Sequence, residues 1–107
     1  MTPEDLFNNI SERMESMHEG VGRGKMMSSP GIQYKGKNFA FFWDDTMVFR
    51  IGKGFNPGDI GVTEWAYLNP FKNKPPMKGW YRIPASEKDH WPDLADRAHA
   101  AMVEELG

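Results

Sequence analysis

The amino-acid sequence predicts an α+β fold in which a twisted antiparallel sheet of about four to five strands carries the N- and C-terminal helices on one face. Apolar residues recur at helical spacing near both ends of the chain, and three short apolar runs separated by tight turns lie between Gly31 and Gly52. The chain has 107 residues, of which 39% are hydrophobic, and this is enough for one core. We therefore expect a single domain over residues 1–107.

The first helix is predicted by its cap and its apolar stripe. Thr2 can cap the helix, a proline suits its first position, and the acidic residues that follow favour the positive end of the helix dipole. The stripe comprises Leu6, Phe7, Ile10, Met14 and Met17. The helix is expected to stop at Gly20. Residues 20–31 are rich in glycine, which predicts a connector with a short extended piece at Met26 and Met27.

An antiparallel meander of three strands is predicted after this connector. Turns are expected at Lys35-Gly36 and at Asp44-Asp45, because such pairs favour two-residue hairpin turns. The predicted strands are Ile32–Tyr34, Phe39–Trp43 and Met47–Ile51.

The middle strand of the meander is apolar on both of its faces. Strict alternation puts Ala40 and Phe42 on one face. The other face carries Phe39, Phe41 and Trp43. Two terminal helices can cover one face, so the opposite face needs residues 53–78 or a second copy of the protein. Ala40 and Phe42 are therefore candidate interface residues of a homodimer.

The remaining elements close the domain. Residues 53–78 are rich in glycine and proline, but their large aromatic side chains predict that this segment docks on the sheet. A fourth strand is predicted over Trp80–Ile83, where a following proline stops it. Asp89 is predicted to cap the closing helix, because this places Pro92 in the first turn. The helix is expected to end near Gly107.

Four short motifs follow one another along the chain. They are Met26-Met27 ahead of Gly31, the run GIQYKGKNFAFFWDDTMVFRIG, Asn69-Pro70-Phe71, and GWYRIP before the closing helix. In their order and spacing, which cover most of the chain, these motifs resemble the TfoX/Sxy N-terminal domain family and, more distantly, the MmcQ/YjbR-like proteins. Ser28-Ser29 departs from the Gly-Gly pair that family members tend to have.

The resemblance implies an α+β fold with a twisted antiparallel sheet flanked by helices, and it implies no catalytic residues. Proteins of this kind are associated with competence regulation when they are fused to a second, C-terminal domain. The YjbR-like relatives have been proposed to bind DNA.

Composition and motifs exclude several classes of protein. No run approaches the roughly 18 consecutive apolar residues of a membrane span, and the acidic N-terminus is unlike a secretory signal. The absence of cysteine excludes disulfides, thiolate zinc sites and cysteine nucleophiles, and it is typical of a reducing compartment. We therefore expect a cytoplasmic protein with no membrane contact.

No complete catalytic, metal-binding or phosphate-binding motif is present. The run over residues 20–26 is one residue too short for a phosphate loop, and it lacks the Ser or Thr after Lys25. Asp44 and Asp45 are interpreted as turn formers, and His99 as a surface residue. We predict a non-enzymatic protein with no metal and no cofactor.

Charge is segregated along the chain. Residues 21–84 carry a net charge of +6, whereas residues 1–20 and residues 85–107 carry −4 each. Such asymmetry can guide association with an anionic partner. Alternatively, acidic terminal helices that fold onto a basic sheet neutralise it internally.

We consider three hypotheses for the function of the protein. The first is a binding or regulatory module that acts through protein contacts, including contacts with a second copy. The second is nucleic-acid binding through a basic and aromatic surface between Lys53 and Arg82, since such surfaces combine cations with stacking rings. Its members are Lys53, Lys72, Lys74, Lys78, Arg82, Trp65, Tyr67, Phe71 and Trp80. The plainer alternative is that these rings are core and the lysines only solvate a loop. The third hypothesis is a small-molecule pocket between residues 53–78 and the sheet.

Overall fold

The computed structural model describes residues 1–69 and 75–107, and the α+β prediction is confirmed. In these residues six strands form one antiparallel sheet in the order β1-β2-β3-β4-β6-β5, slightly more strands than predicted. The helices are α1 (Pro3–Met17) and α2 (Trp91–Leu106). The strands are β1 (Val21–Met26), β2 (Ser29–Tyr34), β3 (Lys37–Trp43), β4 (Thr46–Arg50), β5 (Ala66–Leu68) and β6 (Met77–Pro84). Short 3-10 turns lie at Pro57–Ile60 and Ala85–His90.

Helix α1 begins with the cap that the sequence predicts. The Thr2 hydroxyl accepts a hydrogen bond from the Asp5 backbone N–H at 3.1 Å, and the Asp5 carboxylate accepts one from the Thr2 N–H at 3.1 Å. Each bond satisfies a backbone donor that the first turn of a helix leaves free. The helix ends at Met17, and His18 follows in an extended conformation.

The predicted connector over residues 20–31 is wrong, because most of it forms a β-hairpin. Strands β1 and β2 pair antiparallel, and Met27 and Ser28 form the turn with φ values of 52° and 70°. Local composition favours a loop here, but pairing with β2 overrides it. Glycine has a packing role in this hairpin, since a Cβ at Gly24 would lie 2.1 Å from the Gln33 side chain that crosses it.

The prediction that side chains alternate strictly between the two faces along β3 is also wrong, because the strand contains a bulge. Ile32 of β2 faces Ala40 while Gln33 faces Asn38, so Phe39 is an extra residue. A bulge turns two successive side chains toward one face. Phe39 and Ala40 therefore both enter the main core, while Phe41 belongs to a second cluster on the opposite face.

Both helices pack on the sheet face that carries Ala40 and Phe42. Ala40 is 0% exposed, and the Phe42 ring lies 5.6 Å from the ring of Phe7 in α1 and 6.5 Å from that of Trp91 in α2. The expectation that Ala40 and Phe42 form an open interface is thus wrong, because helices of the same chain cover them. On the opposite face the buried residues are Phe41, Val48 and Leu68, with Met26, Met77 and Trp80 packed against them.

The start of α2 differs from the sequence prediction. Asp89 lies within the 3-10 turn, and the helix begins at Trp91 with no side-chain cap. The turn leads directly into the helix, and the buried Trp91 anchors the junction in the core. Pro92 lies in the first turn as expected. No helix in the described part of the chain is long and apolar enough to cross a membrane.

Candidate anion-binding trough beside Trp80

Two adjoining hollows lie where the end of β4, the start of β6 and the end of α2 meet. Their volumes are about 640 and 520 Å³, and both are lined by Arg50, Trp80 and Glu105. Lys53, Lys78 and Glu104 line the larger hollow, and Lys37 lines the smaller one. We call the two hollows together the Trp80 trough. Three of the predicted surface residues, Lys53, Lys78 and Trp80, are brought together here.

Backbone hydrogen bonds hold the two lysines of the larger hollow near each other. The backbone N–H groups of Ile51 and Gly52 both donate to the Gly79 carbonyl, at 3.0 and 3.2 Å. Gly79 has a φ of 99°, a backbone conformation that residues with a side chain rarely adopt, and a Cβ added there would lie 3.5 Å from the Gly52 backbone. The chain segments before Lys53 and after Lys78 are thereby fastened together.

Tyr81 holds the backbone of residues 52–55, which follow β4, by hydrogen bonds. Its buried ring carries a hydroxyl that donates toward the carbonyls of Gly52 and Phe55, at 2.5 and 2.7 Å. Burial raises the pKa of this phenol, and the neighbouring Tyr67 raises it further. The two hydrogen bonds of the hydroxyl hold the backbone on either side of Lys53.

The ridge between the hollows is an ion pair. Arg50 donates to the two carboxylate oxygens of Glu105 at 2.5 and 3.1 Å, and its guanidinium also lies 2.9 Å from the Met102 sulfur. The hydrogen bond with Glu105 raises the pKa of Arg50, and the same bond lowers the pKa of Glu105. Both groups are therefore charged at neutral pH, and the pair occupies the middle of the trough.

Lys53 and Lys78 are the uncommitted cations of the larger hollow. Within residues 1–69 and 75–107, neither ammonium group lies within 4.0 Å of a carboxylate, whereas every arginine is paired with an acidic residue. Both lysines are exposed. They are therefore available to an anionic ligand.

Arg82 lies apart from the trough. Its guanidinium stacks over the Trp43 ring at 4.5 Å and donates to Asp44 at 3.2 Å, so its charge is already compensated. Trp43 borders a small hollow of about 140 Å³ with Met27, Ser29 and Phe41.

Trp65 and Tyr67 serve mainly as packing groups. Their rings lie 5.1 Å apart and both pack on Tyr81, at 5.5 and 5.6 Å. This confirms that residues of the segment 53–78 dock on the sheet. The remaining predicted members, Lys72 and Lys74 together with Phe71, lie outside the described residues.

Sequence reasoning missed Arg50, Glu104 and Glu105. Arg50 is the last residue of β4, and its proximity to Glu105 depends on where α2 crosses the sheet. One signal was available, since two glutamates in the last turn of a helix are unfavourable next to its negative end and indicate a compensating cation nearby.

His99 is not the surface residue that the sequence predicts. Its ring stacks on that of His18 at 3.9 Å and meets the Tyr34 ring edge-on at 5.4 Å. Burial lowers the pKa of His99, the neighbouring His18 lowers it further, and Asp96 partly offsets both. The pair does not make a metal site, since no group of three or more suitable side chains occurs within residues 1–69 and 75–107.

Comparisons of the chain with protein-family models, with curated proteins and with solved structures found no match. The resemblance to the TfoX/Sxy family therefore stays a prediction.

Proposed function

We propose that this protein is a small non-enzymatic binding module that takes nucleic acid in the Trp80 trough. The observation that supports the proposal is the gathering of Lys53 and Lys78, which have no described carboxylate partner, beside Trp80, whose half-buried ring packs against Phe41 at 6.0 Å. Cations that meet phosphate and a ring that meets a base are the two parts of a nucleic-acid surface.

Local charge supports an anionic ligand although the whole chain has a net charge of −2. Among residues 1–69 and 75–107, four cations line the trough, and the acidic residues that line it are Glu104 and Glu105. The cations are Arg50, Lys53, Lys78 and Lys37. Since the rest of the chain carries a net negative charge, we expect modest affinity that depends strongly on salt.

The proposal is tested by fluorescence anisotropy with labelled DNA of random sequence, over a series of salt concentrations. The double variant Lys53→Ala/Lys78→Ala should weaken binding and reduce the steepness of the log–log salt dependence by about 1.4 for a single strand or about 1.8 for a duplex. Lys88→Ala is the matched control, because Lys88 is an exposed lysine before the opposite end of α2. Absence of binding by the wild type at low salt refutes the proposal.

A second candidate is protein contact on the sheet face opposite the helices, including self-association. It is supported by the exposure of Met27 and Trp43, which are 55% and 39% accessible beside the 140 Å³ hollow. Exposed apolar patches of this kind mark partner surfaces in many proteins. Light scattering over a range of protein concentrations tests self-association, and a monomer at high concentration removes it. The cytoplasmic location and a regulatory role remain predictions.

A further inference from the structure

We infer that the trough takes a single strand, with an unpaired base against Trp80 and a phosphate that displaces Glu105 from Arg50. This inference rests on the proposed function and names both the form of the nucleic acid and the residue that competes with it. Three observations carry it: the shape of the trough, the geometry of the Arg50–Glu105 pair, and the position of Glu105 on its helix.

The shape of the trough favours a single strand over a duplex. The hollows are open to solvent, each has the volume of one small ligand, at about 640 and 520 Å³, and Trp80 lines both. A base can reach an indole in the wall of such a hollow only when it is unpaired and turned out of a stack. The paired bases of a duplex keep their faces inside the helix, so a duplex offers this ring only its backbone.

The geometry of the ion pair suits exchange of a carboxylate for a phosphate. Arg50 already presents two N–H groups to the two oxygens of Glu105. A phosphate offers the same pair of acceptor oxygens, and arginine binds either group in this forked arrangement. The pair is not sealed from solvent, since the side chains of Arg50 and Glu105 are 33% and 52% exposed.

Glu105 is placed where its displacement is easy. It lies in the last turn of α2, one residue before the helix ends at Leu106, and helix ends fray. The negative end of the helix dipole disfavours a carboxylate at this position, so its retention depends on Arg50. When a phosphate binds Arg50, the side chain of Glu105 can rotate toward the solvent.

Glu104 provides the matched control for this idea. It lines the larger hollow and carries the same charge, but it does not bond Arg50. Glu105→Gln and Glu104→Gln each remove one negative charge from the trough. Only Glu105→Gln also weakens the competitor for Arg50.

The experiment measures the affinity of wild type and both variants for labelled oligothymidine of about 15 nucleotides by anisotropy at low salt. Glu105→Gln should tighten binding by about threefold to tenfold, and Glu104→Gln by less than half of that factor. A duplex of the same length should bind at least about tenfold more weakly, and a strand of abasic sites should bind more weakly with the same salt dependence. Oligouridine in the same assay distinguishes RNA from DNA as the strand, and affinity for either supports the inference.

Three results overturn the inference while leaving the proposed function intact. The first is equal tightening by the two glutamine variants, which would mean that only net charge matters. The second is binding of the duplex as tightly as the single strand. The third is equal affinity for the abasic strand. Thermal melting of each variant confirms that it is folded, and loss of all wild-type binding would instead refute the proposed function itself.

Discussion

Removing the Tyr81 hydroxyl should both destabilise the protein and loosen the loop that carries Lys53. In Tyr81→Phe the ring keeps its contacts with Phe55 and Trp65, which lie 5.6 and 5.5 Å away. Only the bonds to the carbonyls of Gly52 and Phe55 are lost. The substitution thus isolates the effect of two hydrogen bonds from that of packing.

The magnitude follows from two hydrogen bonds that are partly buried. A buried acceptor that loses its donor costs about 1–3 kcal/mol, and here one phenol proton serves two partly buried carbonyls, so we expect a total within this range. With an unfolding entropy of about 2.1 cal/mol/K per residue, 107 residues give about 0.22 kcal/mol/K. The melting temperature should therefore fall by about 4–13 °C.

Scanning calorimetry measures this shift, and anisotropy measures the accompanying weakening of nucleic-acid binding. Tyr34→Phe is the control, because its hydroxyl donates to the carbonyl of Gly107 at 3.1 Å. Gly107 is exposed and follows the last residue of α2, so the loss of this bond should leave the melting temperature within about 3 °C of that of the wild type. The reasoning is refuted if Tyr81→Phe has the same melting temperature as the Tyr34→Phe control.

Three further predictions concern stability. Because burial and His18 hold the folded-state pKa of His99 below its usual 6.5, the unfolded chain binds more protons as pH falls. The free energy of unfolding, measured by urea titration, should therefore decrease as the pH falls from about 7.5 to 5.5. The decrease should be smaller in His99→Gln, and an equal decrease in this variant would contradict the assignment to His99. Thr2→Ala removes the α1 cap and should lower the free energy of unfolding by about 0.5–2 kcal/mol in the same assay. An unchanged free energy would mean that the cap does not stabilise the fold. Gly79→Ala should cost about 1–3 kcal/mol because its φ is 99°, while Gly54→Ala, which has open space at its Cβ, should be near neutral; similar costs would contradict the strain argument.

The elements with strong local signals were predictable. The capping residues of α1, the two turns of the meander and most of the apolar stripes of both helices depend on neighbours within a few residues, and they occur in the fold. Met17, the last residue of the predicted α1 stripe, is instead 62% exposed. Strand β1 was not predictable in this way, because Val21–Met26 is glycine-rich and becomes a strand only by pairing with β2. The missing cap at Asp89 has a similar cause, since the burial of Trp91 positions the start of α2.

The candidate site was predictable in part. Lys53, Lys78 and Trp80 stand out by composition, and the fold brings them to one trough. Arg82 has the same composition signal, but Asp44 and Trp43 engage it elsewhere. Only the three-dimensional arrangement separates a cation that is free to bind from one that is already paired.

By itself the sequence determined the fold class, the positions of both helices and the hairpins of the meander, because these follow from periodicity, capping and turn chemistry over short distances. Tertiary structure decided which face each side chain of β3 occupies and what covers it. The extra residue of β3, Phe39, breaks the alternation of faces within that strand. The rings of Phe7 and Trp91 pack against Phe42 and cover it. Tertiary structure also brought Arg50 to Glu105, because the contact joins residues that are far apart in the chain and exists only when α2 lies across the sheet.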